Sequence, residues 1–275
     1  MSQDKSPDQS VKRIAITGAG SGLGRAIALR YARAGWHVAV TDLQTTRAQS
    51  VAEEIEQAGG TALVQTLDTR READFDQLMS RLQTEWGGID VFVNNAGVAS
   101  AGTAAETSLE DWQWLLDINL MGVIRGTRAA IPLLRESRGH LINIASFAAI
   151  ASAPGMASYN VAKAGVLSLS ETVRGEEYRF GVGVTVACPA FFATNLMDNF
   201  RGAEPQQKDM VQKLMSRSSV TADTVADDIF EAAAAERFLV ISHRESRWQY
   251  RLKRLQPEMF FQAVRKATRS FVERK

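Results

Sequence analysis

Apolar positions along this chain fall into short runs that alternate with longer stretches of helical periodicity. VKRIAIT (11–17) is a β-branched run ending in a glycine cluster, and LGRAIALRYARAG (23–35) carries apolar residues at helical spacing up to Gly35. WHVAVTD (36–42) predicts a second strand, followed by a polar helix from about Thr45 to Ala58 and a Gly59-Gly60 stop. TALVQTLD (61–68) and IDVFVNNAG (89–97) predict further strands, separated by a helix over roughly 71–86. A long helix covers about 109–137, and another about 156–180. HLINIAS (140–146), VGVTVACPA (182–190) and FLVIS (238–242) complete about seven strands. Such alternation signals repeated βαβ units. The expectation is a single α/β domain, a doubly wound parallel sheet with helices on both faces.

Domain organisation follows from the same pattern. Residues 1–10 are polar and read as a flexible tail, 11–242 show no composition break, and 243–275 read as a helical C-terminal extension. Ligands of open α/β sheets bind beyond the carboxyl ends of the strands, where Thr17, Asp42, Asp68, Asn94 and Ser146 would sit.

Composition removes several alternatives. The 275 residues are 45% hydrophobic and 23% charged, a globular balance. Thirty-two Lys and Arg against thirty-one Asp and Glu give a net +1, so no global field draws the chain to nucleic acid. One cysteine, Cys188, excludes an intramolecular disulfide, and three histidines argue against a structural zinc site. No apolar run approaches the roughly 20 residues of a membrane span. MSQDKSPDQS lacks the features of a secretory signal, so the expected location is the cytoplasm.

The turn Thr17-Gly18-Ala19-Gly20-Ser21-Gly22-Leu23-Gly24 joins the first strand to the first helix. Its glycines let the backbone turn sharply and approach a diphosphate at the helix N-terminus. Gly18, Ser21, Gly22, Leu23 and Gly24 are therefore cofactor-binding candidates. The competing reading is a plain structural turn. Asp42 ends the second strand about 20 residues on, where an acid accepts hydrogen bonds from an adenosine ribose and repels a 2′-phosphate. NAD is favoured over NADP, with Arg47 read as a solvated helix residue.

Asn94-Asn95-Ala96-Gly97, Asn119, Ser146 and Tyr159-Asn160-Val161-Ala162-Lys163 follow in order. With the T-G-x-x-x-G-x-G turn, the chain resembles the short-chain dehydrogenase/reductase family over roughly residues 11–242. The resemblance implies a Rossmann-like fold, a catalytic tetrad of Asn119, Ser146, Tyr159 and Lys163, and a homodimer or homotetramer. It also implies that Lys163 grips the nicotinamide ribose and that Asn119 helps hold a proton-relaying water. It puts Asp68 near the adenine, Asn95, Ala96 and Gly97 along the adenosine, and Asn94 bracing a strand. Pro189 and Thr194 match a loop meeting the nicotinamide or diphosphate, although Ala190 stands where that family has glycine.

The chemistry has its own logic. Tyr159 and Lys163 lie four apart on a helix and share a face. An ammonium beside a phenol favours the phenolate and moves it toward general acid/base use. Tyr159 would exchange a proton with an alcohol or carbonyl oxygen that Ser146 also hydrogen-bonds. Taken singly, each of these residues has a packing explanation. The expected activity is NAD-dependent interconversion of an alcohol and a ketone or aldehyde. The alternatives are an NADPH-dependent carbonyl or 3-oxoacyl reductase, and a nucleotide-binding regulator without turnover.

Residues 195–217 read as a substrate lid with one apolar face (Met210, Val211, Leu214, Met215), and Phe147, Ile150 and Met156 as pocket lining. They suit a partly apolar small-molecule substrate. Arg244, Arg247, Arg251, Lys253 and Arg254 crowd one stretch with Trp248, Tyr250 and Leu252. The favoured reading there is a helical region docking its aromatics on the body or a sister subunit; nucleic-acid or anionic-membrane binding is the competitor.

Overall fold

A computed structural model describes residues 11–193, 200–202, 215–216 and 218–269. In chain order the elements are β1 (Arg13–Thr17), α1 (Gly22–Arg33), β2 (His37–Asp42), α2 (Thr45–Gln57), β3 (Thr61–Thr66) and α3 (Glu72–Trp86). Then come β4 (Val91–Asn94), α4 (Leu109–Leu116), a π-helical turn (Asp117–Met121), α5 (Gly122–Ser137), β5 (His140–Ile144) and α6 (Ala148–Ala151). The chain continues with α7 (Ala157–Glu177), β6 (Gly183–Ala187), α8 (Ala222–Ala234), β7 (Leu239–Val240), α9 (Arg244–Leu255) and α10 (Pro257–Ala267).

The seven strands form one sheet in the order β3-β2-β1-β4-β5-β6-β7, all parallel. Both faces are buried, which is why the strand sequences are continuously apolar rather than alternating. Ile14 and Ile16 of β1 pack on one side with Ile27 and Tyr31 of α1 and Ile229 of α8. Ala15, between them, joins the opposite layer with Phe75 and Leu78 of α3 and Leu134 of α5. β1 pairs with β2 on one edge and with β4 on the other, so the chain leaves in two directions at their carboxyl ends. That divergence opens the crevice where ligands of such sheets bind.

Strand ends are shorter than the apolar runs. β4 stops at Asn94, because Asn95–Gly97 leave the ladder to line the crevice, and beyond β6 Pro189 and Ala190 line it too. The stretch expected as one helix over 109–137 is helical throughout but carries an extra residue at the π turn. Residues 1–10, Thr194 and most of the stretch read as a lid lie outside the described residues. Tyr250 packs against the body, whereas Trp248 is 63% exposed. Among the described residues no helix is long and apolar enough to cross a membrane, and no group of three His, Cys, Asp or Glu could hold a metal ion.

His140, at the start of β5, is buried. Its Nε2 lies 2.7 Å from Thr185 Oγ1, whose own hydrogen goes to the Arg237 carbonyl at 2.8 Å. Nε2 must therefore be the donor, and the ring is neutral with Nδ1 packed over Gly183, where a Cβ would approach to 2.2 Å. Burial pushes His140 down to about 4 from 6.5. The unfolded chain therefore binds the proton first: the group costs nothing above about pH 6.5 and destabilises as pH falls toward 4, by up to roughly 3 kcal/mol. Denaturant titrations at about pH 7.5 and about pH 4.5 are expected to show an acid loss smaller by about 2 kcal/mol in His140→Gln than in the wild type.

Candidate active site

A single cavity of about 640 Å³ runs across the carboxyl ends of β1 to β6. It lies within the range of small-molecule sites. One end is the glycine turn after β1. The buried Thr17 hydroxyl accepts the Asn95 and Ala96 amides at 3.0 and 3.1 Å, and Asn95 Nδ2 donates to the Thr17 and Gly18 carbonyls at 2.9 and 3.0 Å. Gly18 has φ +63°, and a Cβ on it would lie 2.8 Å from Ala96 Cα. Ser21, Gly22 and Leu23 line the cavity where α1 begins without a side-chain cap or a first-turn acid. The amides there are open to an anion.

Gly24 does not reach the cavity. A Cβ on it would stand 2.2 Å from the Gly18 carbonyl, so its part is to let helix and turn close on each other. Asn95 lines the wall with Ala96 and Gly97, but its amide is committed to the turn. Asn94 braces the sheet through Thr127 and Asn143, as the resemblance implied.

Asp42 ends β2 on the cavity wall, its carboxylate accepting the Gly20 amide at 3.1 Å and the Gln44 amide at 2.9 Å. Gly20 is the residue that sequence reasoning missed, since the motif leaves its position open. A Cβ on Gly20 would lie 2.6 Å from Arg47 Cβ and 2.8 Å from Asp42 Oδ2. The reading of Arg47 as merely solvated is corrected, because it lines the cavity beside Asp42. Asp68 also lines it, with both carboxylate oxygens held by the Arg70 guanidinium, which keeps the acid below its ordinary range.

At the other end, α7 presents Tyr159 and Lys163 to the cavity, and Ser146 follows β5. Lys163 is 4% exposed and its Nζ donates to the Ile144 carbonyl at 2.9 Å, 5.8 Å from the Tyr159 ring centre. Burial pushes the lysine down to about 8. Burial also pushes the Tyr159 phenol up to about 12, opposed by a hydrogen bond with Ser146. The phenol is thus moved upward rather than down, because removal from water outweighs the Ser146 hydrogen bond that opposes it. Cys188 is likewise pushed up to about 12 by burial and is a neutral core thiol.

Asn119 is fully buried in the π turn and does not line the cavity. Its Oδ1 accepts the Val98 amide at 2.8 Å and its Nδ2 donates to the Val98 carbonyl at 2.7 Å. The extra residue of the π turn brings this amide level with the backbone after β4. Through these contacts the Asn119 side chain holds the wall that carries Gly97, where an added Cβ would stand 3.2 Å from Asn119 Oδ1 and 3.6 Å from Lys163 Nζ.

Beyond Ser146 the walls turn apolar, with Trp114, Phe147, Met156, Phe191, Phe200 and Met215. Ile150 faces a core cluster instead, and its carbonyl accepts from Lys253. Arg201 stacks 4.1 Å from the Trp114 ring centre and pairs with Asp111. Asn160 adds one polar post: Nδ2 donates to the Ala153 carbonyl at 2.7 Å, and Oδ1 is buried with no partner in the structure.

His243, just before α9, was also missed. Its Nδ1 accepts the Ala190 amide at 3.3 Å, which fixes the tautomer, and its Nε2 donates to the Phe191 carbonyl at 3.1 Å. One imidazole thus pins the loop in which Ala190 replaces the family's glycine.

A family model described as short chain dehydrogenase matches residues 12–205. "Probable oxidoreductase EphD" of Mycobacterium tuberculosis is 32% identical over 255 residues, which are 89% of this chain and 43% of that protein. The chain thus spans under half the length of that relative. The 3-oxoacyl-[acyl-carrier-protein] reductase of Synechocystis sp. is 39% identical over 192 residues, covering 69% of this chain and 77% of the reductase. A crystal structure of a short chain dehydrogenase/reductase from Burkholderia phymatum in complex with NAD is similar with a TM-score of 0.85 at 30% identity. That likeness covers 91% of this chain and 95% of the other.

The His243 contact has a local readout. In His243→Ala, hydrogen exchange at the Ala190 amide is expected to rise about tenfold, the loss of one net hydrogen bond. The Val186 amide, held by Phe238 within the sheet, should stay as protected as in the wild type.

Proposed function

The chain belongs to the short-chain dehydrogenase family, and from there we propose that it interconverts a secondary alcohol and a ketone, or the aldehyde pair, with a nicotinamide dinucleotide. The observation that carries this reading is one cavity with a glycine cradle and an acid at one end and buried Tyr159 and Lys163 with half-buried Ser146 at the other. A dinucleotide is the ligand class that needs both ends at once. The fit is supported by Gly20, where a methyl group would collide with the Asp42 carboxylate, and by the uncapped start of α1.

When bound, the nicotinamide supplies or accepts the hydride. Tyr159 gives a proton to the carbonyl oxygen in reduction and removes one from the alcohol in oxidation. Its phenol, raised to about 12, is fully protonated at neutral pH and ready for the reductive direction. Ser146 shares a hydrogen bond with Tyr159 and faces the same oxygen. Lys163, lowered to about 8, remains mostly cationic at pH 7 and stabilises the phenolate that oxidation requires. Asn119 keeps the opposite wall in register.

Asp42 supports NAD, since a carboxylate on this wall would accept hydrogen bonds from an adenosine ribose and repel a 2′-phosphate. A second reading, NADPH with a carbonyl or 3-oxoacyl substrate, is favoured by Arg47 and Arg70, two guanidinium groups on the same stretch of wall. The substrate class is an apolar carbonyl or alcohol, with Asn160 able to accept one donor. The family resemblance supports a homodimer or homotetramer.

The reading is tested by screening alcohols and carbonyls while following absorbance of the reduced nicotinamide. Tyr159→Phe is expected to lose at least about a thousandfold in turnover while NADH binding stays within about twofold. Turnover surviving in that variant would remove Tyr159 from the mechanism. Because the phenol titrates far above neutrality, the oxidation rate should climb about tenfold per pH unit between about pH 6 and 8, while reduction stays level. Asp42→Ala should raise the ratio of NADPH to NADH affinity by about tenfold or more; an unchanged ratio assigns selection to Arg47 and Arg70.

A further inference from the structure

We infer that the outward face of α9, continued by α10, is a docking surface for an anionic membrane. The inner side of α9 is satisfied: Ser246 is buried, Tyr250 packs on the core, and Lys253 reaches the Ile150 carbonyl and the Phe260 ring. The opposite side carries Arg244, Trp248, Arg251 and Leu255, spaced four, three and four apart, so they form one stripe along the helix. Trp248 is 63% and Leu255 77% exposed, and Met259 and Phe261 extend the apolar surface onto α10.

Charge separates this face from an ordinary solvated helix. Residues 243–275 hold ten Lys and Arg against three Glu, within a chain whose net charge is +1. On the body, many arginines are paired with acids, among them Arg13 with Asp90, Arg30 with Asp227, Arg125 with Asp117 and Arg135 with Glu177, and others such as Arg174 and Arg179 lie over aromatic rings. Among the described residues, Arg244, Arg247, Arg251 and Arg254 have no such partner. Arg247 and Arg251 are moreover one turn apart, where like charges destabilise a helix. An arrangement that costs the isolated helix stability fits an anionic counterpart from outside.

The apolar members choose among counterparts. Leu255 and Met259 gain nothing from a phosphodiester backbone, whereas a headgroup region takes Trp and aliphatic side chains below and guanidinium groups above. A second copy set stripe on stripe about a two-fold axis would bury Arg244 and Arg251 with no acid opposite them, since the stripe contains none. A lipid surface bearing phosphoserine-type headgroups meets both requirements at once.

The test is sedimentation of the full chain with phosphatidylcholine vesicles, with and without phosphatidylserine. Binding is expected only to the anionic vesicles. Arg247→Glu/Arg251→Glu should weaken it at least about a hundredfold, since each cation near such a surface contributes severalfold. Trp248→Ser/Leu255→Ser should leave residual binding that disappears at high salt. Both variants lie outside the proposed catalytic cavity, and unchanged NADH affinity and circular dichroism would confirm that they fold. Equal pelleting with both vesicle types, none with either, or no effect of charge reversal overturns the proposal. So does light scattering that shows the variants losing a dimer, which gives the face to a second copy, or binding of a DNA duplex in place of the vesicles.

Discussion

Everything in the cavity is referenced to the buried hydroxyl of Thr17. It sits where β1 ends and accepts the amides of Asn95 and Ala96, the first two residues beyond β4. Two neighbouring strands whose chains turn opposite ways are thereby locked at the point of divergence. Asn95 returns the link by donating to the first two carbonyls of the glycine turn. Without this cross-tie, the turn that would receive a diphosphate and the wall that carries Gly97 toward Lys163 would be positioned independently. Hydrogen bonds of this kind are individually modest, but here they are shielded from water, where leaving a group unpaired is expensive.

Burial then sets the electrostatics. An isolated Tyr–Lys pair in water would be judged by Coulomb attraction alone. In this cavity both groups lose hydration, and each is driven toward its neutral form, the phenol upward and the ammonium downward. The two shifts move the pair apart in proton affinity, from ordinary values of 10.0 and 10.5 to about 12 and about 8, so the lysine becomes the group that titrates nearer neutrality. A site built this way favours proton donation from Tyr159 and makes the opposite direction depend on pH. The same absence of water keeps Cys188 a thiol, so a cysteine beside the site remains chemically silent.

The sheet and the residues on its rim were legible because they rest on local rules: strand and helix periods, glycine stops and acids at strand ends. Thr17, Asp42 and Ser146 fall where those rules put them. What the sequence hid depends on distant pairs. Gly20 matters only because β2 brings Asp42 and α2 brings Arg47 against it, 22 and 27 residues away in the chain. Asn119 carries a family role in sequence, yet only the π turn reveals that its amide is fully engaged by Val98. Ile150 looked like pocket lining from its neighbours and packs on the core instead, because α6 is a single turn that points it the other way.

His243 connects the C-terminal extension to the cavity. A loop that has alanine in place of glycine loses backbone freedom, so its path has to be held by something else. The imidazole supplies that hold through one accepted and one donated hydrogen bond, to consecutive residues of the loop. It does so from the residue immediately before α9. The cationic helix is therefore not an appendage on a flexible strand; its first turn is fastened to the wall that lines the cavity. Any force that moves α9, whether a surface it docks on or a subunit it meets, is transmitted through a rigid ring to Ala190 and Phe191. An extension outside the matched family region is in this way mechanically part of the site, and the alanine that departs from the family pattern is the point at which the two are joined.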